Sequence, residues 1–394
     1  MEQNKFEFVR KELPLSVSKI GYSLLIIGLI SAVLAFLFDP ARASFSSLLI
    51  FTYLMGLGMC SLFLIGIEYL TDAVWSIGYR RISEYLFWLV IIAPIFAIPV
   101  LINSHSVFHW THSEVVAVDK ILKSKSPYLN IEFFIIRLIV IVLVMAGFGL
   151  MILRNSKNQD STKDQNLTTK NIRLSAAFMP FFGISITLIA IDWLMSLEPH
   201  WFSTIFGVYY FAGSLLASFA VVTFIAVKLK DWDILPEYIG TDHFYNLGAF
   251  MFAFTNFWAY IAFSQLLLIW YANLPEETFW FIQKFNGSWK WFSIGLIFIQ
   301  FIIPYAFLVS QPSKSNLKRL KVMSLWLIFA HLYDLYWISM TTYDKSGVFF
   351  GWIELGFILL GIGVVIVLFK ILYTKVPLIP LGDPKLKRNI DFHL

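Results

Sequence analysis

The sequence contains one cysteine, Cys60, among 394 residues, and it is poor in charge. A single thiol excludes an internal disulfide and is too few for an all-cysteine iron–sulfur cluster, and the CxxCH signature of covalent haem is absent. Charged residues make up 14% of the chain, against about 25% in an ordinary soluble protein. These shortages exclude a disulfide scaffold, a cysteine-held metal cluster and a charge-rich disordered chain.

What the chain has instead is long apolar runs. Hydrophobic residues are 58% of it, and the mean hydropathy is +0.73. A hydrocarbon core needs about 20 helical residues, and no run alternates like an outer-membrane strand. The sequence therefore predicts an all-α integral membrane protein, a single polytopic domain over residues 1–394 with ten transmembrane helices. The predicted spans are 20–38, 45–67, 85–102, 133–153, 174–195, 201–227, 244–272, 291–309, 322–340 and 349–372.

The distribution of Lys and Arg predicts the orientation of these spans. The N-terminal segment 1–19, the even-numbered loops and the tail 373–394 hold 22 of the 30 basic residues, whereas the odd-numbered loops hold seven. By the positive-inside rule both termini are cytoplasmic. The segment 1–19 has no removable signal peptide, so we expect the first span to be retained. Basic runs such as 314–321 suit the inner leaflet of the lipid bilayer, and no nucleic acid is needed to explain them.

Three further predictions concern the loops and the tail. The outer loops 103–132 and 273–290 concentrate aromatic residues, which predicts burial against partner subunits. The inner loop 154–173 is polar and low in aromatics, so a flexible tether is expected. The tail 373–394 contains prolines and basic residues, which favours a position on the inner surface over a continuation of the last helix.

The most informative ionisable residues are His331 and Asp334 in the ninth predicted span. Counting from Val322 places them roughly 14 and 18 Å into the bilayer, and their spacing puts them on one helix face. Three interpretations remain open: a polar pair that joins two helices, a proton relay, and a metal or haem ligand. For the relay we expect a bundle-interior position, with Gln265 and Gln300 as candidates to complete the chain.

Carboxylates also occur at the cytoplasmic end of the second span. Glu68 and Asp72 lie there, followed by Arg80, Arg81 and Glu84. One interpretation is a set of ordinary interfacial charges that pair with one another. The other is the mouth of an inner proton path, in which the arginines keep the carboxylates ionised.

Two opposite charges lie at similar depth near the outer face. Arg137 is about four residues into the fourth span, and Asp192 is about three residues from the end of the fifth. An ion pair between them is predicted. Snorkelling of Arg137 to the interface is the competing account.

The outer loop also contains an HxxxHxxH run, formed by His105, His109 and His112 around Trp110. Helical spacing would place these imidazoles on one face, as in a zinc site. A fourth ligand is missing, so an ordered loop that docks against its neighbours is the favoured interpretation.

Three segments together resemble one family. They are SHSVFHWTHSEVVAVDKILKSKSPYLN (104–130), DWLMSLEPHWFSTIFGVYYFAG (192–213) and FWAYIAFSQLLLIWYANLPEET (257–278). Each is similar to a stretch of the large membrane subunits of alternative complex III, a bacterial quinol:cytochrome c oxidoreductase. That family belongs to the polysulfide-reductase-type (NrfD-like) membrane anchors. The resemblance covers about residues 20–372, and the chain's length looks more like the smaller, ActF-type subunit.

The resemblance implies a fold of two four-helix bundles, spans 2–5 and 6–9, related by inverted topology and flanked by spans 1 and 10. It implies a bacterial inner membrane and, as partners, a multihaem cytochrome c subunit, an iron–sulfur protein subunit and a paralogous quinol-binding membrane subunit, with a terminal oxidase as a further candidate. Asp192, Asp334 (in DLYW), Glu276 and Glu277 fall on matched positions, and Arg137 follows the matched loop. The family often has a proline after DLYW, where ISMTTY stands here.

The residues themselves point to a non-redox role, because no set of haem or iron–sulfur ligands is present. On this interpretation the chain binds no cofactor itself, haem c and iron–sulfur clusters lie in partner subunits, and a menaquinone or related quinol is a candidate ligand. The predicted function is a proton-conducting path and assembly surface beside the quinol-oxidising paralogue. The path candidates are His331, Asp334, Asp192, Arg137, Glu68, Asp72 and Glu84. The alternatives are a stand-alone proton-coupled transporter and a purely structural anchor.

Overall fold

The computed structural model describes residues 11–393, so residues 1–10 of the predicted N-terminal segment lie outside it. The described chain is helical and has no strand. Ten helices are long and apolar enough to span a membrane, which confirms the predicted fold class. They are α1 (Leu15–Phe38), α2 (Pro40–Leu70), α3 (Ile77–Ile102), α4 (Ile131–Thr162), α5 (Asn166–Leu197), α6 (Phe206–Asp231), α7 (Thr241–Ala272), α8 (Trp289–Leu308), α9 (Leu317–Tyr343) and α10 (Trp352–Lys375).

The ends of the ten helices lie on two opposite sides of the molecule, which we name the terminal side and the loop side. The terminal side is the one where α1 begins and α10 ends. The loop side is the opposite one, where residues 103–130 join α3 to α4 and residues 273–288 join α7 to α8. The loop side also carries short helices, among them Ser113–Val118, Lys120–Lys125 and Pro275–Lys284.

Contacts between helices group them into two four-helix bundles. Helices α2 to α5 form the first bundle, α6 to α9 form the second, and α1 pairs with α10 beside them. The bundles meet where α2 contacts α6, where α5 contacts α6 and where α9 contacts α2. The grouping into spans 2–5 and 6–9 agrees with the arrangement that the resemblance implied, and the inverted relation between the two bundles stays a prediction.

Small residues allow α1 and α10 to pack closely. A Cβ on Gly28 would lie 2.5 Å from the backbone N of Leu360, and a Cβ on Gly363 would lie 2.5 Å from the backbone N of Leu25. Because lipid tails are as apolar as Leu, helix pairs in a membrane depend on such close packing. The first and last spans are thus joined to each other, and α10 also contacts α2.

The expectation of a flexible tether over residues 154–173 is wrong. Helix α4 continues to Thr162 and α5 begins at Asn166, so only three residues separate them. Side chains bond across this helical hairpin: Gln159 Nε2 donates to Thr168 Oγ1 at 2.7 Å, and Asn155 Nδ2 donates to Asn171 Oδ1 at 2.9 Å. The polar composition here reflects side-chain pairing between the two helices of this hairpin.

Two spans have an irregular backbone. Helix α3 consists of short helical pieces and contains Pro94 and Pro99, which remove helical hydrogen bonds. Helix α8 contains a π-helical turn over Phe298–Ile302, followed by Pro304. A carbonyl in this turn, that of Ile299, accepts a hydrogen bond from Trp326 Nε1 at 2.7 Å. Such π-helical turns are frequent at functional sites.

The aromatic residues of loops 103–132 and 273–290 mostly pack within the chain itself. Trp110, Trp280 and Trp289 are buried, and Trp280 stacks on Trp201 at a ring distance of 4.3 Å. The reason for expecting a partner over loops 103–132 and 273–290 was exposure of these rings, and that reason does not hold. Burial of the loops by a partner stays a prediction.

The tail behaves as expected in leaving the last helix. After Lys375 it turns back across the terminal side and buries Leu378 and Ile379. Asn389 anchors it, since its Nδ2 donates to Val74 O at 2.7 Å and its own carbonyl lies 3.0 Å from His243 Nε2. The tail therefore covers the terminal ends of the helices.

Candidate functional site

The candidate site lies inside the second bundle, around the carboxylate of Asp334. This residue is near the middle of α9 and is 1% exposed. Its Oδ1 accepts a short hydrogen bond from the hydroxyl of Tyr209 on α6, and its Oδ2 accepts one from Trp258 Nε1 on α7 at 3.1 Å. Three helices of the bundle therefore converge on one carboxylate, and the prediction that it faces the bundle interior is confirmed.

His331 lies one turn before Asp334 and is equally buried. Its Nδ1 is 3.9 Å from Asp334 Oδ2, and its Nε2 lies 3.3 Å from Ser214 Oγ on α6. Nδ1 has no hydrogen-bond partner among the described residues. The backbone of α6 approaches closely here, because a Cβ on Gly213 would lie 2.7 Å from His331 Nδ1. The histidine is held between α6 and α9 with one ring nitrogen free.

Charge around Asp334 is not balanced by a close Lys or Arg. Among residues 11–393, His331 is the one basic side chain within 4.0 Å of its carboxylate. Gln265 and Gln300, expected to complete the chain, form no hydrogen bond with the pair; Gln265 Nε2 and both amide atoms of Gln300 have no partner in the described chain. Tyr209, Trp258 and Ser214 contact the pair instead.

Lys284 is a second buried charge-bearing group on the loop side of the same bundle. It ends the short helix Pro275–Lys284, and its Nζ donates to Trp337 O at 2.9 Å and to Thr341 Oγ1 at 2.5 Å. The rings of Trp280 and Trp337 lie 4.4 and 4.5 Å from it. Burial lowers the pKa of the Lys284 amine well below that of an exposed lysine. The negative charges of Glu198 and Asp334 raise this pKa, but their effect is smaller than that of burial. It contacts the last turns of α9 without an ion-pair partner in the described chain.

Arg137 and Asp192 form the predicted pair in the first bundle. Arg137 Nε donates to Asp192 Oδ2 at 2.7 Å, and Nη2 donates to Oδ1 at 3.1 Å. Arg137 is only 7% exposed, so its side chain does not snorkel, and the competing account is wrong. The hydroxyl of Tyr128 donates to Asp192 Oδ1 at 2.9 Å, and the Tyr128 ring lies 3.9 Å from the guanidinium carbon. This closed, bidentate pair joins α4 to α5; its place on a proton path stays a prediction.

The terminal side contains a buried ionic network. Arg80 lies 3.1 Å from Glu68, 3.5 Å from Glu84 and 2.7 Å from Asp383 of the tail. Arg81 pairs closely with Glu84 and lies 2.5 Å from Asp160. The six members are Glu68, Arg80, Arg81, Glu84, Asp160 and Asp383. Two arginines thus share four carboxylates across α2, α3, α4 and the tail.

Asp72 is separate from this network. It is exposed, and it lies 2.7 Å from Lys385 Nζ and 3.2 Å from Arg388 Nη1 of the tail. The hydrogen bond from Lys385 lowers the pKa of the Asp72 carboxyl, with Arg388 adding to the effect. Glu68 and Asp72, which the sequence places one helical turn apart, therefore have different ion-pair partners, and a shared mouth of a proton path stays a prediction.

The histidines of loop 103–132 form hydrogen bonds within their own loop. His112 Nε2 lies 2.8 Å from the carbonyl of His105, and His105 Nδ1 lies 3.2 Å from Thr111 Oγ1. Within residues 11–393, no group of three or more His, Cys, Asp or Glu side chains is placed to hold a metal ion. The arrangement of these histidines therefore does not support a zinc site. Glu276 and Glu277 lie in the first turn of the short helix Pro275–Lys284.

Sequence reasoning missed several residues that complete the sites. Tyr209 and Trp258 both fall within the segments that carry the family resemblance, so that resemblance was the available signal. No sequence signal marked Asp160, Asp383 or Lys284, because each is in a loop or a helix end of ordinary polar sequence. Their roles depend on how the tail and the short helix pack.

Comparison of the chain with models of known families finds no match, and no curated protein matches it either.

Proposed function

We propose that the chain is an integral membrane subunit of a respiratory quinol:cytochrome c oxidoreductase of the alternative complex III type. In this proposal it lies in a bacterial inner membrane with both termini cytoplasmic. It provides a proton-conducting path and an assembly surface beside a quinol-oxidising paralogue. A multihaem cytochrome c subunit and an iron–sulfur subunit take the electrons, because the sequence of this chain has no ligand set for a haem or an iron–sulfur cluster.

The observation that carries the proton role is the environment of Asp334. A carboxylate at the middle of a membrane helix is expensive, and such residues mark ion or proton pathways by default. Here it is bonded by two neutral donors, Tyr209 and Trp258, and its basic neighbour is His331. An ion pair built for stability would hold a nearby Lys or Arg, as Asp192 does with Arg137. The Asp334 site is instead arranged so that a proton can be gained and lost.

Polar groups extend from this site towards both sides. On the terminal side of His331, α6 presents Ser214, Ser218 and Thr223, all fully buried. The segment from Ser214 to Thr223 has ten residues and rises about 13 Å along the helix. Towards the loop side lie Tyr209 and then Lys284. The ionic network of Arg80 and Glu68 lies at the terminal end of the first bundle, where protons would enter.

Support for the complex comes from the three segments that resemble that family, together with the grouping of helices into two bundles and a flanking pair. The first and second bundles correspond to spans 2–5 and 6–9 of that family. Tyr209, Trp258 and Asp192 lie in these resembling segments, so the residues that carry the resemblance also form the buried sites.

Purification of the affinity-tagged chain from its native membranes tests the proposal. We expect c-type haem absorbance and quinol oxidation to co-purify, and we expect Asp334→Asn to lower turnover at least about tenfold in a normally assembled complex. Asp231→Asn, at the exposed Lys321 pair, is the matched control and should leave turnover unchanged. A chain that purifies without haem would favour a stand-alone transporter. Full turnover in Asp334→Asn would favour a structural anchor.

A further inference from the structure

A group of unpaired cations lies on the terminal side, at the junction of α8 and α9. Its members, all within residues 309–319, are Lys314, Lys318 and Arg319, and in the described part of the chain none of them forms an ion pair with an Asp or Glu. Lys321, just beyond them, does so, since its Nζ lies 2.6 Å from Asp231 Oδ2. The junction therefore presents positive charge that the protein itself does not neutralise.

Lys314 is the member of this group that most requires an explanation, because it is only 8% exposed. Its Nζ donates at 3.1 Å to the carbonyl of Val309, the residue that follows α8, and lies 4.7 Å from the centre of the Phe252 ring on α7. Its backbone is fixed against α7 as well, since a Cβ on Gly248 would lie 2.7 Å from Lys314 O. An ammonium has three donors, and the described chain accepts from one of them.

Two hydroxyls connect this lysine to Arg319. Ser310, next to Val309, has its Oγ 2.8 Å from Ser313 Oγ, and Arg319 Nη1 donates to Ser313 Oγ at 2.7 Å. Arg319 is exposed, and its other guanidinium donors have no partner among the described residues. The two serines share one hydrogen bond between two hydroxyl hydrogens, so one hydrogen is left over. Ammonium, hydroxyl and guanidinium donors thus line one edge of the junction, and such donors suit phosphate oxygens.

The junction lies where the helices leave the apolar part of the membrane. Val309 directly follows α8 and is exposed, and so is Tyr305 one turn before it. On the other flank, Val322 and Leu325 of α9 are exposed as well. Within a transmembrane span an exposed apolar side chain faces lipid tails. A ligand that uses both the cations and these flanks has an anionic head and apolar chains.

We propose that the junction of α8 and α9 binds the phosphate of an acidic phospholipid, of the phosphatidylglycerol or cardiolipin class, in the leaflet on the terminal side. Lys314 and Arg319 hold the phosphate oxygens, and the acyl chains lie along Tyr305 and Val322. Basic pockets between transmembrane helices are the usual sites for such headgroups. A zwitterionic lipid carries its own cation, which these side chains repel, so the site selects by net charge. It is separate from the Asp334 site and does not depend on the proposed function.

Native mass spectrometry of the full-length protein, as isolated in mild detergent, tests this by counting bound lipids. The probes are dioleoyl phosphatidylglycerol and dioleoyl phosphatidylcholine at matched concentrations. We expect wild type to prefer phosphatidylglycerol at least about tenfold, the effect of two cations at the membrane surface. Lys314→Gln/Arg319→Gln should reduce the preference to about twofold or less. Lys157→Gln/Lys170→Gln is the matched control, because it removes two exposed lysines without ion-pair partners from the same side, and it should keep the preference.

Equal binding of the two lipids by wild type would overturn the proposal. An equal loss in the double variant and its control would overturn it too, since it would show a nonspecific effect of surface charge. If Lys314→Gln does not fold, the exposed Arg319→Gln decides alone, with an expected loss of about fivefold.

Inorganic phosphate is the third probe, and it distinguishes a lipid headgroup from a soluble anion. Because free phosphate has no acyl chains to contact the flanks, we expect an excess of it to leave phosphatidylglycerol bound. Displacement of the lipid by inorganic phosphate would show a soluble-anion site and overturn the lipid assignment. The measurement needs no turnover, so its outcome is independent of whether Asp334 conducts protons.

Discussion

At the scale of single residues, the difference between two buried aspartates carries most of the functional argument. Asp192 has a bidentate arginine, whereas Asp334 has two neutral donors and a histidine. Sequence reasoning could match Arg137 with Asp192, since both lie at the same depth. It could not find Tyr209 or Trp258 by charge, because neutral side chains give no such signal.

Gly213 gives a direct test of how tightly His331 is held. We expect Gly213→Ala to displace the imidazole, since the added methyl would lie 2.7 Å from Nδ1, and to destabilise the protein by about 1–3 kcal/mol. Gly183→Ala is the matched control, because nothing lies within 4 Å of a Cβ there. Thermal unfolding in detergent measures both. Equal melting temperatures for the two variants would contradict the close contact.

The Arg137–Asp192 pair makes a different prediction. Removing one partner leaves a buried charge alone, so Arg137→Met and Asp192→Asn should each cost about 3–5 kcal/mol. The double variant Arg137→Met/Asp192→Leu should regain much of this stability, because no charge remains unpaired. The free energy of unfolding of all three variants tests the pair. A double variant no more stable than the singles would show that the pair is not the reason for the loss.

At the scale of helices, hydropathy located all ten spans but misplaced their ends. The sequence predicts spans by apolar length, and polar helix ends such as 154–162 carry no such signal. Those ends form because Gln159 and Asn155 find partners on the facing helix.

Lys284 tests how the short helix Pro275–Lys284 holds the end of α9. Because burial lowers the pKa of this amine, the unfolded chain binds more protons than the folded one between the lowered value and about 10.4, so stability rises with pH in that window. We expect the stability of wild type relative to Lys284→Met to increase from about pH 8 to about pH 10. Melting temperatures across this range measure it. A constant difference would mean that Lys284 stays protonated.

At the scale of the whole molecule, the orientation is open to a labelling test. Cys60 is buried, so it gives little background for introduced cysteines. With both termini cytoplasmic, Ser124→Cys should react with a membrane-impermeant maleimide on intact spheroplasts. Ser161→Cys and Lys387→Cys should react only after permeabilisation. The reverse pattern would invert the topology and the direction of the proton path.

The central claim is that Asp334 conducts protons during quinol oxidation, and the number of protons released per electron tests it most directly. The measurement uses the intact purified complex in vesicles, with wild type, Asp334→Asn, Asp334→Glu and the control Asp231→Asn. The account predicts a lower ratio in Asp334→Asn, a largely retained ratio in Asp334→Glu and a normal one in the control. An unchanged ratio with normal turnover in Asp334→Asn would contradict it and leave the carboxylate a structural link between α6, α7 and α9.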